Sequence, residues 1–195
     1  MASLTSKEHD ASINCQHSLV RTAQAKDLLG LADILTDSFH SSVGIMGWFT
    51  PLFRLGMYED LRVRLRSASA HHTCLVAVAP LSPVQDEDFL VGTVEMTLRY
   101  PPVWERQVGQ YLYISNLAVR QSCRRQGVAQ KLLLACERKA LEWGFKDIYL
   151  HVLENNEQAK QLYFKLGYRL HYIDPNWSFP VLNQPRRLFL HKQLA

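Results

Sequence analysis

Cysteine is scarce in this chain: Cys15, Cys74, Cys123 and Cys136 are the only four in 195 residues. No two form a C-x-x-C pair, and no Cys/His group has zinc-ligand spacing, so a zinc-ribbon or dithiol redox motif is excluded. So few cysteines in a chain this long point to reduced thiols in a cytosolic compartment rather than to a disulfide framework. Long apolar runs are also missing. Nothing approaches the roughly 18 residues needed to span a bilayer, so no membrane role is expected. The first 17 residues contain Lys7, Glu8, His9 and Asp10 and have no apolar centre, which is not the make-up of a secretory signal. Early acidic residues speak against a transit peptide as well. The expected compartment is the cytoplasm, or a plastid if a leader has been removed from a longer precursor.

Charge of one sign is not massed anywhere. The net charge is +4, and Lys and Arg are scattered rather than gathered on one element. That suits an anionic ligand but not a nucleic-acid binder. Two phosphate motifs are absent: there is no G-x-x-x-x-G-K-[ST] and no G-x-G-x-x-G, so neither a P-loop nor a dinucleotide fold is supported. Internal repeats and low-complexity segments are lacking too.

What is present is enough apolar content, 47%, for one sizeable core. Residues 1–17 read as a flexible tail and residues 18–195 as a single domain. Leu19 to Thr22 reads as a strand. From Ala25 a helix follows, with Leu28, Leu29, Leu31, Ala32, Leu35 and Phe39 at helical spacing. A second helix is expected over about Met57 to Ser67; its Arg62, Arg64 and Arg66 read as a solvated face. Two strands, His72 to Ala79 and Phe89 to Tyr100, flank a polar hairpin tip with Asp86, Glu87 and Asp88. Tyr111 to Val119 is a strand, Gly127 to Trp143 a helix, Asp147 to Leu153 a strand. Asn155 or Asn156 caps the next helix, which Gly167 ends. Tyr168 to Ile173 and Leu188 to Leu194 complete an α/β chain with a mixed sheet of six or seven strands and helices on both faces.

The densest stretch is Tyr113 to Ala129, YISNLAVRQSCRRQGVA. An apolar strand meets a short basic turn, which opens into an amphipathic helix. Arg124, Gly127 and Ala129 stand there as R-x-x-G-x-A. Such a junction offers unpaired backbone N–H groups at the positive end of a helix dipole, where phosphate binds. Gly127 has no Cβ and lets a ligand approach the backbone. The turn therefore reads as a pyrophosphate cradle. Downstream, Asn156-x-x-A-x-x-x-Tyr163-x-x-x-Gly167-Tyr168 follows.

Together these residues resemble the GCN5-related N-acetyltransferase (GNAT) superfamily, in element order from about Leu19 to Leu194. The resemblance implies the GNAT fold and acetyl-coenzyme A as co-substrate, with no metal. Its pyrophosphate would lie on the backbone of Arg125, Gln126, Gly127, Val128 and Ala129, beside Arg124. Backbone groups of Leu117, Ala118 and Val119 would pair with the pantetheine arm and polarise the acetyl carbonyl. Tyr163 would stand near the cofactor sulfur as proton donor to the leaving thiolate, and Asn156 would contact the cofactor.

For a base, His151 lies between Leu150 and Val152, and alternation puts Tyr149, His151 and Leu153 on one strand face. The ordinary reading is a hydrogen-bonded structural histidine. Some eukaryotic protein N-terminal acetyltransferases have a histidine in this L-H-V context and a tyrosine 11 residues before the motif's first arginine, as Tyr113 stands before Arg124. That resemblance implies a Tyr113–His151 base relay. Glu95, mid-strand, is a second candidate whose plain reading is an outward-facing strand residue. Ser115 and Asn116 read as a strand bulge. Trp48, Phe49, Trp177 and Phe179 are either loop packing or an apolar wall for the acceptor.

The expected activity is direct transfer of an acetyl group to a protein N-terminal α-amine or lysine, by a monomer or homodimer. Two alternatives remain open: a small arylalkylamine or polyamine acceptor, and a non-catalytic module that binds acyl-coenzyme A.

Overall fold

Seven strands form one mixed sheet in the order β1-β2-β3-β4-β5-β7-β6. The computed structural model describes residues 15–40, 70–82, 85–100, 109–174 and 185–195. The strands are β1 (Leu19–Thr22), β2 (His72–Ser82), β3 (Gln85–Arg99), β4 (Tyr111–Val119), β5 (Asp147–Leu153), β6 (Arg169–Ile173) and β7 (Arg187–Gln193). The helices are α1 (Leu28–His40), α2 (Val128–Glu142) and α3 (Glu157–Lys165). The helix expected over 57–67, its arginines, and the four loop aromatics Trp48, Phe49, Trp177 and Phe179 lie outside the described residues.

The chain divides into two compact units. One runs to Glu95 and includes Asn116–Ala135; the other comprises Met96–Ser115 and Cys136–Ala195. In the first, α1 lays Leu28, Leu31, Ala32, Ile34 and Leu35 against Cys74, Val76 and Val78 of β2 and Leu90 of β3. Leu29, expected in that stripe, is 64% exposed, and Ile34 takes its place. The physical reason is helical geometry: Leu29 lies about 100° round the helix from Leu28, away from the arc that Leu31, Ile34 and Leu35 share. Leu75 and Ala77 are buried on the opposite face of β2, so that strand is covered on both sides.

Two sequence expectations fail at the start of the chain. Cys15–His17, assigned to the tail, form a 3-10 turn whose Cys15 is fully buried. Cys15 is also disulfide-bonded to Cys123, 108 residues away, while Cys74 and Cys136 are free and buried. Thus two of the four thiols are not reduced, and the pair is made by tertiary contact that spacing alone does not show. Lys131 of α2 adds a clamp, donating to the carbonyls of Gln16 and Ser18 at 2.6 and 2.9 Å. A cross-link closing so long a loop removes much unfolded-state entropy. Cys15→Ser is expected to cost about 2–5 kcal/mol of stability. Urea unfolding of oxidised variant and parent checks this; equal midpoints would contradict the bond.

In the second unit β5 pairs parallel with β4 at Leu112–Ile114 and antiparallel with β7 along its whole length. The β4–α2–β5 connection therefore joins parallel neighbours, as expected. The β5–α3–β6 connection does not, because β7 inserts between β5 and β6, antiparallel to both. Ile148, Leu150 and Val152 are buried on one face of β5, and Tyr149, His151 and Leu153 share the other.

Candidate active site

Backbone geometry in the first unit sets up the turn before α2. β4 contains Asn116 at φ 52°; asparagine tolerates this left-handed conformation better than most residues. Where β4 ends, Arg120 anchors the exit. Its N–H donates to the Val91 carbonyl at 2.9 Å, its Nε donates to the Leu90 carbonyl at 2.6 Å, and its guanidinium lies 4.6 Å from the Phe89 ring centroid. A 3-10 turn over Gln121–Cys123 follows, tied down through buried Cys123.

Arg125 at φ 64° and Gly127 at φ 83° then bend the chain into α2, and Gly127 offers its carbonyl to the Lys131 N–H at 3.0 Å. Among the described residues nothing accepts from the backbone N–H groups of Arg125, Gln126, Gly127, Val128 or Ala129. Successive N–H groups across left-handed residues form an anion-binding concavity, and the helix dipole adds to it. A Cβ built on Gly127 would meet nothing within 4 Å among the described residues, which leave the space over the turn open. These residues fit a diphosphate. The side chains divide their labour: Arg124 Nε donates to the Val119 carbonyl at 3.2 Å and Gln126 Nε2 to the Ser122 carbonyl at 3.1 Å, both holding the loop's shape. Arg125 is exposed and adds charge at the rim. Leu117 and Val119 are half-buried and Ala118 is buried.

A tyrosine–histidine group occupies the second unit. Registry of β4 with β5 sets Tyr113 opposite Tyr149, two residues before His151 on the same strand face. The Tyr113 hydroxyl and His151 Nδ1 are 2.9 Å apart, a hydrogen bond whose direction follows the imidazole tautomer. Phe189, opposite His151 on β7, covers the imidazole at 4.6 Å between centroids. His151 Nε2 is buried and meets no partner among the described residues. Burial, the Arg187 charge and the Arg99 charge pull the His151 pKa down to about 4, against an upward pull from Asp174. The ring is therefore neutral at physiological pH. Because its folded pKa lies below its unfolded value, it contributes stability above about pH 6.5 that is lost as pH falls toward 4.

Tyr163 of α3 is 7% exposed and packs edge-on against Tyr168, with centroids 5.7 Å apart. Burial, with Tyr113 nearby, holds its phenol well above the ordinary tyrosine range, so it stays protonated. The turn after α3 fixes this pair: Gly167 at φ 93° lets the Tyr168 N–H reach back to the Tyr163 carbonyl at 3.0 Å. Asn156 caps α3, its side-chain carbonyl accepting from the Ala159 N–H at 3.1 Å.

Glu95 corrects one expectation. It is 3% exposed, not outward-facing, because β3 is covered on both sides. Sequence reasoning also missed Arg99, whose guanidinium carbon sits 3.6 Å from the Tyr113 ring centroid. A single arginine at a strand end gives no signal of that contact. Among the described residues no group of three His, Cys, Asp or Glu side chains could hold a metal, and no helix is long and apolar enough to cross a membrane.

The chain is similar to GCN5-related N-acetyltransferase 10, chloroplastic, of Arabidopsis thaliana, with 30% identity over 172 residues; these cover 83% of this chain and 66% of that protein. Its fold is similar to that of PaiA N-acetyltransferase from Thermoplasma acidophilum in complex with coenzyme A, at TM-score 0.67 and 18% identity over 90% of this chain and 98% of that one. It also resembles Arabidopsis thaliana NAA60 in complex with a bisubstrate analogue, at TM-score 0.65 and 16% identity over 91% and 99%. The model of the acetyltransferase (GNAT) family matches residues 31–168, most of the chain, and the protein belongs to that family.

Proposed function

We propose that this protein is an acetyl-coenzyme A-dependent N-acetyltransferase, a single catalytic domain over residues 18–195, whose acceptor is the α-amine of a protein or peptide N-terminus. The observation that carries the reading is the run of five backbone N–H groups at 125–129 that meet no acceptor among the described residues, set at a helix start over space those residues leave open. A diphosphate satisfies those donors without a dedicated cation. On this reading the pantetheine arm follows the backbone of Leu117, Ala118 and Val119, and Asn156 contributes to the cofactor contacts.

Chemistry then follows from the neutral imidazole and the protonated phenol. The acceptor nitrogen attacks the thioester carbonyl, a C–N bond forms, the C–S bond breaks, and Tyr163 gives its proton to the departing thiolate. The surplus amine proton passes to the Tyr113 oxygen as the Tyr113 proton moves to His151 Nδ1.

The weakness of that base selects the acceptor. A group titrating at about 4 accepts a proton from an α-ammonium, which titrates near 7.7–8.0, at a cost of about 5 kcal/mol. From a lysine ammonium, near 10.4, the cost is about 9 kcal/mol. At pH 8 roughly half of an α-amine is already neutral, against less than about 1% of a lysine. An α-amine therefore needs little help, and a lysine more than this site supplies. Glu95 remains a second base candidate.

The relative with the chloroplastic name supports a plastid location rather than the cytoplasmic one expected from composition; a fluorescent fusion confined to the cytosol would contradict it. The acceptor is tested by mass spectrometry of a peptide library after incubation with enzyme and acetyl-coenzyme A. We expect α-acetylated peptides to outnumber ε-acetylated ones at least tenfold near pH 7.5. Predominant ε-acetylation, or transfer to polyamines alone, would overturn the acceptor assignment. Coenzyme binding without release of free thiol would favour a non-catalytic module.

A further inference from the structure

We propose that Arg99 is a positioning residue for acetyl transfer: set over the ring of Tyr113, its guanidinium holds the phenol hydroxyl against His151 Nδ1. The inference rests on the reading of Tyr113 and His151 as the proton-accepting pair.

Three residues from three strands stack in sequence. Arg99 closes β3 and is itself exposed, yet its guanidinium carbon is 3.6 Å from the Tyr113 ring centroid. Tyr113 on β4 is 6% exposed and its hydroxyl is 2.9 Å from His151 Nδ1 on β5. A cation over the face of a phenol is attracted by the ring quadrupole, by roughly 0.5–2 kcal/mol depending on desolvation. The opposite side of the group is fixed by Phe189, which covers the imidazole. Tyr113 is thus gripped between a charge on its face and a hydrogen bond at its tip. Packing with Tyr149 and Phe189 already confines the ring, and the arginine adds an attraction on its face that biases the hydroxyl toward the imidazole.

The charge has a second effect. The groups acting on the imidazole are Tyr113 from β4, Arg99 from the end of β3, Arg187 from β7 and Asp174 after β6. Arg99 and Arg187 both oppose a second positive charge on the ring, and Asp174 favours it. Removing Arg99 therefore makes the imidazole easier to protonate at rest. Lysine at this position keeps the charge but not the planar, delocalised group that stacks over a ring.

The test pairs a titration with kinetics. In Arg99→Met, the His151 ring-proton titration followed by nuclear magnetic resonance is expected to move up by roughly half a unit to one unit, the effect of one partly screened charge. The kcat is expected to fall about tenfold, with coenzyme A affinity and peptide KM unchanged, because a displaced proton acceptor affects only the chemical step. Arg99→Lys should restore the titration midpoint and recover kcat only in part. A merely structural role would lower the melting temperature of both variants and leave the midpoint alone. An unmoved midpoint with unmoved kcat in Arg99→Met overturns the positioning role. A moved midpoint with unmoved kcat instead overturns His151 as proton acceptor, so the two claims fail separately.

Discussion

Gly127→Val is expected to lower coenzyme A affinity more than a hundredfold in calorimetric titration. Gly127 sits at φ 83°, a left-handed conformation in which a β-branched residue is strained. That strain is of order 1–3 kcal/mol and falls on the loop rather than on the core, so the variant still folds. The larger effect is local. The Cβ position faces open space, which is where the account places the diphosphate. Branched carbons there keep phosphate oxygens from the N–H groups of 125–129. Losing two charge-assisted hydrogen bonds, each worth about 1.5–3 kcal/mol, amounts to about 3–6 kcal/mol and two to four decades of affinity. Gly127→Ala carries the same left-handed strain with a smaller side chain, so it is expected to lose less affinity than Gly127→Val. A folded Gly127→Val that binds coenzyme A as the parent does would contradict the cradle.

The second large effect concerns the leaving group. Tyr163→Phe is expected to lower kcat by roughly one to three orders of magnitude while the affinity for coenzyme A stays within about twofold. Tyr163 is buried against Tyr168, and burial keeps its phenol protonated. Phenylalanine preserves that packing and removes only the proton. A thiolate leaving unprotonated into a buried site carries uncompensated charge, so the loss falls on the transition state and not on ground-state binding. Single-turnover rates, which exclude product release, are the measurement that checks it. Equal rates in variant and parent would remove Tyr163 from the mechanism.

Much of this arrangement is written in local periodicity. The stripe Val128, Leu132, Leu133, Cys136 and Ala140 is buried along α2 as its spacing implies. The alternation of β5 correctly set Tyr149 and His151 apart from Ile148 and Leu150, because a strand has only two faces. Gly167 and Gly144 mark helix ends because their positive φ is required there. What was not legible depends on contacts distant in sequence. The insertion of β7 between β5 and β6 follows from sheet assembly, to which a strand–helix–strand pattern is blind. The Cys15–Cys123 bond joins ends of a 108-residue separation that no motif links. Glu95 looked like a surface residue because one carboxylate in a strand carries no mark of what covers it. Arg99 over Tyr113 is likewise a product of tertiary packing. Leu29 falls outside the buried arc because two adjacent leucines cannot both sit at the centre of one helix face.

The central claim is that main-chain amides at the bend before α2 hold the diphosphate of coenzyme A. The most direct test is a crystal structure of the protein with coenzyme A. The account predicts diphosphate oxygens about 2.7–3.2 Å from backbone nitrogens within Arg125–Ala129, with Gly127 closest to the phosphate and its φ still positive. Coenzyme A bound elsewhere, or that bend filled by the protein's own side chains, would contradict it.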